Sequence, residues 1–159
     1  MSVYSGRGIV PQQFRRYVIR ATLEHLGEHT DAFEELLFMT VAHESLGGRL
    51  LHQHRGSAVG VFQIEPRTHD DIWKNYLAYK PRMAAKVKAL ASTYTAEECI
   101  TNLKYCCAMA AMVYIRAKDD VPSNPKDLWA LAAFYKLYYN TYLGSATLKQ
   151  TIDDYHRWT

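Results

Sequence analysis

Cysteine is scarce. The three residues, Cys99, Cys106 and Cys107, are odd in number, show no Cys-x-x-Cys spacing and fall in one apolar segment. That excludes a disulfide framework or a zinc ribbon and fits small core residues on one helix in a reducing compartment. A long hydrophobic run is also missing. The longest, Cys106 to Ile115, is about half of the ~20 residues that a membrane span needs, so stable membrane insertion is not expected. The segment from Met1 to Val10 has no apolar signal-peptide core, and delivery by another component is expected if the protein acts outside a cytoplasm. There is no run of five basic residues and no zinc-finger or basic-zipper pattern, so nucleic acid is not an expected partner. Repeats, low-complexity tracts and Gly/Ser linkers are absent as well.

What is present describes one ordinary domain over residues 1–159. With 48% hydrophobic and 13% aromatic residues, the chain has the apolar mass for a real core. Its net charge of +3 and pI near 8.7 suit an anionic partner without identifying one.

The pattern is mainly helical. Asp31 with Glu34, Thr68 with Asp71, and Thr95 with Glu98 have the cap-then-acid spacing of helix starts. Pro81 and Pro125 suit first-turn positions. The spacing predicts helices at about 11–26, 31–45, 68–79, 81–92, 95–118, 126–139 and 146–157. The exception is 46–66, which carries four glycines and the β-prone Val59, Val61, Phe62 and Ile64 and reads as a short irregular or β excursion. Loops on a rigid scaffold are frequent sites of chemistry.

Glu44 stands out on the second helix. At about 100° per residue, Leu37 and Val41 lie about 40° and 80° around the helix from Phe33, and Glu44 returns to about 20°. A carboxylate is thereby aimed along the buried stripe, in a last turn whose carbonyls disfavour ionisation. Burial and dipole both raise its pKa, as general-acid catalysis of glycosidic cleavage requires. The other reading of the helix alone is an ordinary terminal Glu released to solvent by Gly47 and Gly48. His43-Glu44 also begins a His-Glu-x-x-His zinc motif, but Gly47 stands where the second His belongs.

Glu44-Ser45, followed by the run from Ser57 to Thr68 (Ser-Ala-Val-Gly-Val-Phe-Gln-Ile-Glu-Pro-Arg-Thr), resembles the lysozyme-like superfamily, in particular the soluble lytic transglycosylase type. In that family a Glu-Ser pair ends a helix and precedes Gly-Ala-x-Gly-Leu-Met-Gln-Ile-x-Pro-x-Thr. The departures here are Ser57, Val61 and Phe62. A third family element, Ala-Tyr-Asn-Ala-Gly, is matched either by Tyr139-Asn140, the favoured alignment, or by Tyr135 without an adjacent asparagine. The resemblance implies a mostly α, α+β lysozyme-like fold with Glu44 as catalytic acid and base. It also implies substrate contacts from Ser45, Gln63, Tyr139 and Asn140, with Tyr139 beside the acid. It implies neither metal nor cofactor. The segments Thr68 to Trp73 and Tyr138 to Thr141 look like phage-encoded members consisting of this domain alone.

The expected substrate is bacterial peptidoglycan, cut between N-acetylmuramic acid and N-acetylglucosamine. Between Glu44 and Glu65 there is no Asp or Glu, which favours a one-acid transglycosylase yielding 1,6-anhydro ends over the usual two-carboxylate arrangement. A hydrolytic muramidase, with Glu65 or Asp70 positioning water, is the alternative. Two further alternatives are a zinc peptidase or amidase using His43, His52 and His54, and a catalytically silent virion component. The expected location is the host cytoplasm before release to the cell wall through a separate membrane-pore protein, or else a phage particle.

Overall fold

A computed structural model describes residues 8–140 and 146–159. The segment before Gly8 and Thr141, both used in the sequence reading, lie outside the described residues. Helix α1 (Pro11–Phe14) widens into a π-helical stretch (Arg15–Arg20) and continues as α2 (Ala21–Leu26). Then come α3 (Asp31–Glu44), α4 (Pro66–Asn75), a 3-10 turn (Leu77–Tyr79), α5 (Pro81–Lys88), α6 (Glu98–Thr101) and α7 (Leu103–Ile115). The chain continues with α8 (Leu128–Tyr135), a second π-helical stretch (Lys136–Asn140) and α9 (Leu148–Trp158). The fold is mostly helical. Among the described residues, extended pairing is confined to the antiparallel bridges His52 with Val59 and Val59 with Ile64. No helix among them is long and apolar enough to cross a membrane.

Two helices form the centre. Helix α3 is buried from Ala32 to Ala42 apart from half-buried Glu35, and α7 from Tyr105 to Tyr114, around most of the helix rather than along one stripe. Helices apolar all round belong inside a core, and the run from Cys106 to Ile115 is therefore core helix. Its three cysteines are free and buried. Thr40 Oγ1 and Tyr114 OH share a hydrogen bond of 2.7 Å between the two helices. Helix α9 lies along α3, its Trp158 ring stacked on Phe38 at 4.5 Å and tilted against Phe14 at 5.5 Å.

Several boundaries differ from the sequence expectation, each for a local reason. Thr30, not Asp31, caps α3, accepting from Phe33 N at 3.0 Å. Helix α4 starts at Pro66, a residue suited to N1 because it has no amide hydrogen to leave unpaired, so Thr68 is an internal residue and not a cap. The predicted helix 95–118 is two helices, because Asn102 is extended (φ −117°, ψ 97°). Its Oδ1 caps α7 through Tyr105 N at 2.9 Å while its Nδ2 donates to Leu90 O at 2.8 Å. Helix α8 starts at Leu128 behind an Asp127 cap, two residues later than expected.

The excursion 46–66 is a tight irregular fold. Val59 and Ile64 exchange both backbone hydrogen bonds, at 2.9 and 3.0 Å, closing the loop from Gly60 to Gln63. Leu46, Arg55 and Gln63, the non-glycine residues with positive φ among the described residues, all fall in this excursion. Such backbone costs energy and persists where surrounding structure holds it.

Candidate active site

Glu44 is the last residue of α3. It opens onto a cleft of about 790 Å³ whose walls include Gln63, Glu65, Thr68, Arg116 and Asn140. Helix α3 thus carries the acid out of the core to the floor of a groove bounded by the excursion, α4, the end of α7 and the second π-helical stretch.

The carboxyl accepts a hydrogen bond from Tyr135 OH at 2.5 Å. Burial pushes its pKa above the ordinary carboxyl value. The Tyr135 hydroxyl, the His43 charge and the Asn140 amide pull it back without cancelling the rise, and the Glu65 charge adds to the rise. A comparison within the same helix isolates the cause. Glu34, at the other end of α3, is also buried, but it accepts from Arg20 Nε at 2.7 Å and is paired with His29 Nε2 at 2.9 Å. Burial pushes that carboxyl up, yet the guanidinium and imidazole outweigh it and Glu34 is held below the usual range. Glu44 has no such cationic hydrogen-bond partner among the described residues, and its neutral form is correspondingly favoured.

Tyr135 donates to Glu44 and Asn140 comes near enough to lower its pKa because the helix changes type between them. In an α-helix, five residues turn by about 500°, leaving the two side chains about 140° apart. The wider i→i+5 winding of the stretch Lys136–Asn140 brings them toward one face. Lys136 Nζ donates to Asn140 Oδ1 at 2.9 Å and orients the amide. Burial and the Glu44 charge push the Tyr135 phenol far above its usual pKa, so it remains a donor.

This arrangement corrects the favoured alignment. Tyr139 was expected beside the acid, but its hydroxyl donates to Phe62 O at 2.7 Å. Its ring stacks on Tyr114 and Tyr135 at 5.3 and 5.8 Å. Tyr135 therefore contacts the acid, while Tyr139 supports the excursion and still lines the cleft. The other alternative, Tyr135 without an adjacent asparagine, is the one whose hydroxyl reaches Glu44, and the π-helical winding brings Asn140 toward the same face.

Ser45 was expected at the substrate and is instead fully buried. Its Oγ accepts from Gly48 N at 2.9 Å and donates to Val41 O at 3.3 Å, satisfying backbone groups at the end of α3. Ser45→Ala is expected to lower unfolding free energy by about 1 kcal/mol. Activity per folded molecule should stay unchanged, as urea unfolding paired with glycan-cleavage rates would check. Gln63 lines the cleft, but its Nε2 donates to Gly60 O at 2.9 Å, so half of its amide braces the loop.

Thr68 and Arg116 enter the cleft wall without having been read as site residues. Pro66 as the first helical residue was the available signal for Thr68, since it removes the capping role. Asp70 does not line this cleft and pairs with buried His69 at 2.9 Å. Of the histidines of the zinc alternative, His54 lines the cleft and the other two have partners elsewhere. His43 Nδ1 pairs with Asp154 Oδ2 at 2.7 Å and His52 Nδ1 lies 2.9 Å from Gln53 O. Among the described residues no three His, Cys, Asp or Glu side chains are grouped to hold a metal ion.

No family model, curated protein or solved structure matches this chain. Geometry and the motif resemblance carry the functional reading.

Proposed function

We propose that this chain is a lysozyme-like enzyme that cleaves the β-1,4 bond between N-acetylmuramic acid and N-acetylglucosamine in bacterial peptidoglycan. Glu44 serves as its acid and then its base, in the manner of a lytic transglycosylase. The observation that carries this reading is the Glu44 carboxyl itself, desolvated at a cleft floor and held by a phenol at 2.5 Å. A half-buried acid without a cationic partner is costly to a fold, and a carboxyl whose pKa is raised by desolvation is what glycosidic general-acid catalysis uses. The resemblance of Glu44-Ser45 and the run from Ser57 to Thr68 to that family supports the same reading.

In this mechanism neutral Glu44 donates its proton to the leaving glycosidic oxygen while the acetamido oxygen of the muramic acid residue attacks C1. The resulting carboxylate, stabilised by Tyr135 and Asn140, then removes the proton of the 6-hydroxyl. The 6-oxygen displaces the acetamido oxygen and closes a 1,6-anhydro ring. No water is consumed, and Glu44 ends protonated. Use in phage lysis or cell-wall penetration, with delivery by a pore protein or a virion, rests on the sequence resemblance alone.

A specific feature favours hydrolytic muramidase action as the second reading. Glu65 lines the same cleft and adds to the Glu44 pKa rise. Its Oε2 accepts from Ser57 Oγ. In a hydrolase Glu65 would be the second carboxylate, the one that activates water.

The test is dye release from labelled peptidoglycan across pH 4 to 8 by the wild type and Glu44→Gln. The wild-type rate should fall as pH rises through the raised Glu44 pKa, because only the protonated carboxyl can donate. Glu44→Gln should release nothing, and absence of wild-type release at every pH would overturn the proposal. In the same assay Tyr135→Phe removes a donor that favours the carboxylate. It is expected to move the descending limb to higher pH and to lower kcat about tenfold, the equivalent of one hydrogen bond of about 1.4 kcal/mol.

A further inference from the structure

Arg116 closes α7 and lines the cleft, and its guanidinium is pinned before any substrate arrives. Nη1 donates to Asp71 Oδ2 at 2.6 Å, and Asp71 is held in turn by Asn75 Nδ2, which donates to its Oδ1 at 2.6 Å. Asp71 and Asn75 both sit on α4, so Arg116 spans the two helices that wall this side of the groove. An arginine carries five N–H donors in a fixed planar fork. Among the described residues, Asp71 is its one hydrogen-bond and ion-pair partner, which leaves donors free on a side chain still partly exposed. Among the described residues lining this cleft, Arg116 is the one lysine or arginine.

We propose that Arg116 forms a carboxylate subsite that recognises an acidic group of the substrate, a carboxylate of the peptide attached to a muramic acid residue. This rests on the reading of the cleft as a peptidoglycan site and adds what selects the strand. The Asp71 brace removes the entropy of ordering a long side chain, and the remaining donors match the two oxygens of a carboxylate. Glu65, whose carboxylate is tied to Ser57, is not within ion-pair distance of Arg116 among the described residues, so the guanidinium is not consumed internally. An uncharged chitin strand offers Arg116 nothing comparable. Arg116 is a specificity-determining residue in this account and takes no part in proton transfer.

The test uses purified peptidoglycan and the same material with its carboxyl groups converted to methylamides. Wild-type kcat/KM is expected to fall about tenfold to a hundredfold on the methylamidated substrate, the range for a lost charge-assisted hydrogen bond. The fall should lie mainly in KM. Arg116→Gln should show that same loss on native peptidoglycan and no further loss on the amidated form, and Arg116→Lys should recover part of the native rate. A wild type indifferent to amidation would overturn the proposal without any variant. So would an Arg116→Gln protein that is as sensitive to amidation as the wild type. Failure of the cleavage reading itself looks different, since the wild type would then release no fragments from either substrate.

Discussion

Glu44→Gln is expected to melt at a higher temperature than the wild type at neutral pH while losing all measurable glycan cleavage. The folded-state pKa of Glu44 lies above its ordinary value because of burial. The folded protein therefore binds that proton more tightly than the unfolded chain. The stability that this proton binding contributes is fully present below the unfolded pKa of about 4.3. It is lost as pH rises through the folded pKa. At neutral pH the wild type carries this cost, and a neutral amide of similar shape does not. Tyr135 OH can still donate to the amide oxygen, so its hydrogen bond survives. The melting difference should grow from near zero at pH 4 to its full value above the folded pKa, measured by thermal unfolding across that range. A variant equally inactive but no more stable at any pH would mean that Glu44 is comfortable as an ion. The protonated acid would then lose its physical basis. A gain in stability on losing a functional group is expected where a site stores strain for chemistry.

Gly60→Ala is expected to be among the most damaging single changes outside the acid, lowering stability by about 2–4 kcal/mol. Gly60 has φ +76°, a region that L side chains avoid. A Cβ there would lie 2.5 Å from Cys106 Sγ and 2.5 Å from the Cys99 carbonyl oxygen. The sulfur belongs to a close-packed buried helix and the oxygen to backbone, so neither can yield without moving α6 or α7. The damage should reach function, because Gly60 opens the loop that ends in Gln63 and accepts its side-chain hydrogen bond. Chemical unfolding would measure the first effect and cleavage per folded molecule the second. A variant with wild-type midpoint and rate would contradict the tight contact between the excursion and the buried cysteines.

Much of this was legible from local pattern. The apolar stripe of Phe33, Leu37 and Val41 placed Glu44 on the buried side of its helix. The glycines and β-prone residues of 46–66 marked the excursion. What was not legible required information beyond fixed helical periodicity. Asn140 comes to the Glu44 side beside Tyr135 because the helix widens after Tyr135, and a constant 100° step assigns them to different faces. Ser45 was read as a substrate contact from the resemblance of the Glu44-Ser45 pair. It is turned inward because the end of α3 leaves Gly48 N–H in need of an acceptor. Asn102 was read as a helical residue, yet its side chain both caps α7 and ties Leu90, a competition that local propensity alone does not resolve. Arg116 lies 72 positions after Glu44 in the sequence and joins the cleft through tertiary packing of α7 against α4.

The most direct measurement is mass spectrometry of the glycan ends released from purified peptidoglycan by the wild type and Glu44→Gln. The account predicts muramic acid residues ending in 1,6-anhydro rings from the wild type and no released fragments from the variant. Reducing ends lost in the variant would keep Glu44 as the acid but assign the second step to water beside Glu65. Fragments released equally by both proteins would contradict the central claim that Glu44 performs the cleavage.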